Sequence, residues 1–182
     1  RRVRGCALPG VLAVGVAGAP PATGPCVCLS YLESACKTLG RLMQSVDTSD
    51  QVPLIVFRST MPPGTTRERL IPVLEADSGK QAGVDFHVVY NPEYLRAYNA
   101  VEDFLQFRFL TVGTTEPGDE ASLRMRSIFA SFEDTTTTEL PYEEAEDPKY
   151  VHNVFNAGKI PNSNEIHARA TGPYSLITQQ PL

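Results

Sequence analysis

Long hydrophobic runs are missing from this 182-residue sequence. No apolar stretch approaches the roughly 20 residues that a bilayer-spanning helix needs, so no segment reads as a membrane span. Blocks of like charge are also absent. The 16 basic and 21 acidic residues are interspersed, which speaks against a nucleic-acid-binding tail and against a polybasic membrane anchor. Cysteine is scarce: Cys6, Cys26, Cys28 and Cys36 all lie near the N-terminus, spaced neither as a zinc ribbon nor as C-x-x-C, and they read as free thiols. The histidines, His87, His152 and His167, are far apart and lack metal-ligand spacing, so no metal is expected. There is no internal repeat and no low-complexity segment. Nowhere does G-x-G-x-x-G occur, the turn that lets backbone approach a dinucleotide pyrophosphate ahead of a helix.

What is present is a chain with 42% hydrophobic residues and a net charge of −5, enough for one globular domain or one domain plus part of another. Strand-like segments alternate with helical ones, the pattern of an α/β domain with a mostly parallel sheet. Leu12 to Val16 is the first apolar run. The stretch from Arg1 through it has two readings, a secretory signal or a buried strand ending in a Gly/Pro loop. Ser30, with Glu33 three residues on, has the form of a capping box. It predicts a helix whose Leu32, Cys36, Leu39, Met43 and Val46 form one buried stripe. Val52 to Phe57 is a β-rich run closed by the turn Arg58 to Thr65. A helix carrying Leu70, Ile71, Val73 and Leu74 follows, with Pro72 inside it and Gly79 as its left-handed stop.

Phe86 to Tyr90 reads as a strand that ends at Asn91-Pro92, and Phe109 to Val112 as another. After Pro117 a helix is predicted to lay Leu123, Ile128, Phe129 and Phe132 on the sheet. Thr135 to Thr138 is a short β-branched run. From Tyr142 the spacing of Tyr150, Val154, Phe155 and Ile160 predicts a long helix. Pro148 falls within it, and an interior proline costs roughly 3 kcal/mol or more, a cost removed only if the helix begins near that residue.

Three collinear blocks carry a family resemblance. Arg58 to Thr65, RSTMPPGT, resembles a strand-end turn before a helix. Ser78 to Ala100, SGKQAGVDFHVVYNPEYLRAYNA, resembles an NPEFLREG-type segment. Ala145 to Ile166, AEDPKYVHNVFNAGKIPNSNEI, resembles an AExxKYxxNxxxAxKIxFxNE helix. Together with weaker similarity at Ala17 to Pro20 and Leu29 to Glu33, they resemble the UDP-glucose/GDP-mannose dehydrogenase family over roughly Leu12 to Glu165.

That resemblance implies an α/β fold. Residues 1–138 would be the C-terminal part of a Rossmann-like NAD-binding domain, and residues 139–182 the start of the long central helix of a dimerisation domain. It implies an NAD-dependent, cytoplasmic 6-dehydrogenase that oxidises a UDP- or GDP-hexose to the uronic acid and forms a homodimer through that helix. By the same resemblance, Lys149 would stabilise an oxyanion and Asn153 would share its helix face and donate an amide hydrogen bond. Glu93 would act through water. Thr60 would face the nicotinamide and an active-site water. Glu93, Tyr94, Leu95, Arg96, Lys149, Asn153 and Lys159 would line the sugar-nucleotide site. The sequence departs from the family at Ala97, where a second glutamate is usual, and at Ala19, where a threonine is usual. The family's GGSCFPKD-like nucleophile segment does not occur. Lacking that segment and the glycine fingerprint, and beginning at Arg1, the chain is expected to be an incomplete piece without turnover of its own. Alternative readings are a non-catalytic sugar-nucleotide-binding or dimerisation remnant and a relative of the β-hydroxyacid dehydrogenases.

Overall fold

The computed structural model describes residues 7–8, 10–14, 29–47, 51–94, 99–105, 109–132 and 135–171. Its strands are β1 (Ala7–Leu8), β2 (Val11–Val14), β3 (Leu54–Phe57), β4 (His87–Tyr90), β5 (Phe109–Thr114) and β6 (Thr136–Pro141). The helices are α1 (Ser30–Met43), α2 (Ile71–Ser78, entered through a π-helical turn at Thr66–Leu70), α3 (Ala100–Leu105), α4 (Glu120–Ile128) and α5 (Tyr142–Thr171). One sheet holds all the strands in sequence order. The β2–β3, β3–β4 and β5–β6 pairs are parallel, and β1–β2 and β4–β5 are antiparallel. This is the Rossmann-like α/β arrangement with a mostly parallel sheet.

The sheet is covered on both faces. Leu54 and Val56 point into one core with Val89, Leu110, Val112, Ala121 and Met125, so α4 covers that side. Ile55 and Phe57 point the other way, into a core with Leu32, Cys36, Met43, Leu70, Leu74, Tyr90 and Tyr142, so α1, α2 and α5 cover the second side. Period-two alternation with both faces buried explains why β3 is an unbroken apolar run. Burial of each such Leu, Ile or Phe side chain contributes about 1.5–3 kcal/mol. Cys36 is a free, buried thiol, its pKa pushed up to about 12 by that burial and secondarily by Glu33. Cys6, Cys26 and Cys28 lie outside the described residues.

Several expectations are corrected. Ser30 stands inside α1 rather than at its cap: Leu29 holds the cap position, and the Glu33 carboxylate accepts from Arg69 Nη2 at 2.6 Å. A long-range ion pair with α2's entry turn has replaced the local box. Val46 lies beyond the end of α1 and is 46% exposed. Leu123 is also exposed. Asp119 caps α4 by accepting from Ser122 N at 2.8 Å, and that starting phase turns Ala121, Ser122 and Met125 inward instead. Pro72 is accommodated in the first turn of α2, and Gly79 ends that helix with φ 68°. Pro148 is not at a helix start, because α5 begins at Tyr142. The bond its missing N–H forfeits is bracketed by side-chain anchors on the adjacent turns, described below.

Two close features set the geometry of α5. Gly113 of β5 has no Cβ, and one built there would meet the Ala145 Cβ at 2.7 Å and the Tyr90 Cβ at 3.1 Å. The helix therefore lies directly on the strand. Second, β4 and β5 share a single register pair, Tyr90 with Gly113. The two halves of the sheet diverge beyond it, and the opening between them is where the cleft forms.

Candidate active site

The cleft has a volume of about 700 Å³ and lies where β3 and β4 end and β5 begins. In open α/β sheets ligands bind beyond the carboxyl ends of parallel strands, where neighbouring connections part. Arg58, from the end of β3, and Asn91, Glu93 and Tyr94, from the segment after β4, line it together with Phe104, Phe109 and Phe129. Asn91 is buried. Its amide Nδ2 donates to the Thr111 carbonyl at 2.9 Å, while its Oδ1 has no hydrogen-bond partner among the described residues. Burial lowers the proton affinity of the Arg58 guanidinium, and the nearby Glu93 carboxylate opposes that effect.

α5 enters the lining of this cleft through Pro148, and one face of the helix stands beside it. Tyr142, Glu146, Lys149 and Asn153 recur every three or four residues, so they form a single row on the helix. The Tyr142 hydroxyl donates to the Val88 carbonyl at 2.9 Å. Glu146 is fully buried and accepts from Gly64 N at 2.6 Å, Thr66 N at 2.8 Å and Thr66 Oγ1 at 2.6 Å. Lys149 is buried, its Nζ 3.8 Å from Glu93 Oε1 and 5.0 Å from the Tyr94 ring centroid. Asn153 Nδ2 donates to Thr60 Oγ1 at 3.0 Å. Desolvation lowers the Lys149 ammonium below an ordinary lysine, with Glu93 resisting. Desolvation raises the Glu146 carboxyl, with the donors from Thr66 and Gly64 resisting.

The structure thus brings Thr60, Glu93, Tyr94, Lys149 and Asn153 together from three separate stretches. Tyr94 also meets the His152 ring edge-on at 6.0 Å. Glu93 and Tyr94 line the cleft itself, Thr60, Lys149 and Asn153 stand beside it, and Lys159 is exposed farther along α5. Leu95 and Arg96 lie outside the described residues. Sequence reasoning missed Glu146, Arg58 and Asn91. Glu146 was legible in principle, because stepping back one turn from Lys149 along the row that holds Asn153 leads to it.

A buried lysine, a carboxylate within ion-pair range and an amide holding a hydroxyl, set at the edge of a Rossmann-like sheet, are the equipment of a dehydrogenase domain. The chain belongs to the UDP-glucose/GDP-mannose dehydrogenase family: the model of that family's NAD binding domain matches residues 11–133. Among curated relatives, it is 39% identical to the GDP-mannose 6-dehydrogenase of Pseudomonas putida over 146 residues, 79% of this chain and 32% of that one. It is 32% identical to the UDP-glucose 6-dehydrogenase of Haloferax volcanii over 142 residues, 76% of this chain and 32% of the relative. Among solved structures, a GDP-mannose dehydrogenase from Pseudomonas aeruginosa superposes with a TM-score of 0.76 at 31% identity, covering 89% of this chain and 36% of that one. A UDP-glucose dehydrogenase from Pyrobaculum islandicum gives a TM-score of 0.69 at 34% identity, covering 88% and 34%. The chain spans about a third of the length of the curated relatives it matches.

NAD is the cofactor of this family's matched domain. Its pyrophosphate calls for open N–H groups at a helix start. At the entry to α2 the Gly64 and Thr66 N–H groups are taken by Glu146. At α4 the Ser122 N–H is taken by Asp119 and the Gly118 N–H by Glu139 at 2.7 Å. These two helix starts do not fit the pyrophosphate. No helix among the described residues is long and apolar enough to cross a membrane.

Proposed function

We propose that this chain carries the substrate-side part of a nucleotide-sugar 6-dehydrogenase, which oxidises the primary alcohol of a UDP- or GDP-hexose to the uronic acid. NAD, when bound, supplies the hydride acceptor. The observation that carries the reading is Lys149, buried and 3.8 Å from Glu93, beside an Asn153 amide hydrogen-bonded to Thr60 at 3.0 Å.

Oxidation of an alcohol builds negative charge on oxygen, and a positive donor held in a dehydrated site stabilises that charge far better than in water. Lys149 is such a donor. The half-exposed Glu93 carboxylate lies beside it with access to solvent, placed to take a proton through a water molecule. Asn153 and Thr60 form a neutral hydrogen-bonded pair that fixes the second turn of the α5 face without adding charge. Tyr94 covers the ammonium with its ring, a contact worth about 0.5–2 kcal/mol.

Val151, Val154 and Phe155 are 52%, 55% and 65% exposed in one stripe on α5. This supports pairing of the helix with a second copy, which light scattering would show as a dimer and a monomer would refute. Calorimetric titration of the chain with UDP-glucose and GDP-mannose tests the main reading. Saturable heat, weakened by Lys149→Ala, is expected; no heat at millimolar ligand with either compound refutes it. Addition of NAD to those mixtures is expected to give no sustained absorbance of reduced cofactor, since the sequence holds neither the glycine fingerprint nor the cysteine segment.

A further inference from the structure

We propose that Glu146 is the positioning residue of this site, the buried carboxylate that, inside the half-exposed Arg67–Glu143 pair joining the same two elements at 2.6 Å, sets α5 against the β3–α2 turn so that Lys149 reaches Glu93 and Asn153 reaches Thr60. The inference rests on the reading of Lys149 given above, but the placement it describes is measurable without any substrate.

Both ends of the site converge on this one side chain. Its Oε2 takes the Gly64 N–H, and its Oε1 takes the N–H and hydroxyl of Thr66. The turn that presents Gly64 and Thr66 begins with Ser59 and Thr60, so holding its far end also fixes where the Thr60 hydroxyl stands. On the helix side, Lys149 follows Glu146 by one turn and Asn153 by two, on the same face. Two oxygens bound to two different residues fix rotation of the helix about its axis as well as its distance from the turn. One bond would fix only the distance. The N–H of Gly64 can point this way because its φ is 85°, a conformation that side-chain-bearing residues rarely adopt.

Packing alone does not call for a carboxylate here. Tyr142 and Ala145 fill the same helix face with largely apolar surface, and an ionised group taken out of water carries a desolvation cost that an aliphatic side chain would not. Directional hydrogen bonds are what the carboxylate adds. The charged and titratable groups that meet Lys149 are Glu93 and Tyr94 from the segment after β4; Tyr94 in turn meets His152 of α5, and Arg58 lies within electrostatic range of Glu93.

The test labels the lysines with 13C at Cε and follows the Lys149 titration by NMR in the full chain, with Lys149→Arg identifying its signal. Glu146→Asp keeps the negative charge but is one methylene too short to span both Gly64 and Thr66 from the same helix position. Thr66→Val removes one donor and leaves shape and charge in place. Both variants are expected to fold and to move the Lys149 midpoint upward, toward the roughly 10.4 of a lysine in water, with Glu146→Asp moving it further. A titration that superposes on the parent in both variants, with a lowered melting temperature, would make Glu146 a fold-stabilising residue only and overturn the proposal. If Glu146→Asp does not fold, Thr66→Val decides alone: an upward shift supports the assignment and an unchanged midpoint ends it. Loss of nucleotide-sugar binding bears on the functional reading, whereas the lysine midpoint bears on the positioning role, so the two fail separately.

Discussion

Lys149 and Glu93 form an ion pair with unequal surroundings: the lysine side chain is 7% exposed and the glutamate 38%, at 3.8 Å. The lysine is the member that has lost its water. The pair therefore concentrates its cost on the positive group, and the carboxylate can rehydrate if the lysine is removed.

Lys149→Met is accordingly expected to leave thermal stability within about 1 kcal/mol of the parent, because a dehydrated ammonium is replaced by an apolar chain of similar length. Binding of nucleotide sugars should weaken by about tenfold or more, about 1.4 kcal/mol. Thermal unfolding and calorimetry check the two halves; an unaltered affinity would remove Lys149 from the site.

The pH dependence of stability has a sign for each buried group. Lys149 is lowered from 10.5, so between its native value and 10.5 the unfolded chain binds more protons, and stability rises with pH across that window. Glu146 is raised from 4.5, so above 4.5 the native state holds its proton longer, and stability falls as pH rises toward the native value. Urea midpoints across pH should lose the alkaline rise in Lys149→Met and the acid-side fall in Glu146→Gln. Parallel curves for parent and variants would contradict both assignments.

Gly64→Ala places a Cβ on a residue with φ 85° and against the Glu68 carboxylate at 3.4 Å. A loss of about 1–2 kcal/mol follows from the left-handed backbone alone. Denaturant unfolding reads it directly, and an unchanged midpoint would mean the turn has another accessible conformation.

Tyr142→Phe removes the hydroxyl that donates to Val88 and keeps the ring. A loss of about 1 kcal/mol is expected. Equal midpoints for the two proteins would show that the Val88 carbonyl finds another donor.

Several element types were legible in the sequence because local periodicity sets them: β3 and β4 by apolar runs, α1 by its stripe, α2 by the stop at Gly79; α3 was not read, and Val154 and Phe155, whose spacing suggested α5, are exposed while Tyr142, Ala145, Glu146 and Lys149 are its buried row. What was not legible came from phase and from distance. Leu123 was placed inward by its size, yet the phase set by Asp119 turned smaller residues to the sheet. Ser30 and Glu33 looked like a local box, but Arg69 on another element claimed the carboxylate. In the site, Thr60, Glu93, Lys149 and Asn153 were found through family-like blocks. Glu146 stands in the AExxKYxxN-like block one turn before Lys149, yet its role was passed over because its partners lie about 80 positions away along the chain.

The contact between Gly113 and Ala145 leaves no slack between strand and helix. A methyl group at position 113 would act as a wedge beneath a 30-residue rod, and the tilt it forces would grow with distance from the wedge. Asn153 would then swing farther than Lys149. Positions that never touch a ligand can thus be as intolerant of change as those that do, and a survey of damaging substitutions in this protein should show sensitivity running down the seam of β5 as well as around the cleft.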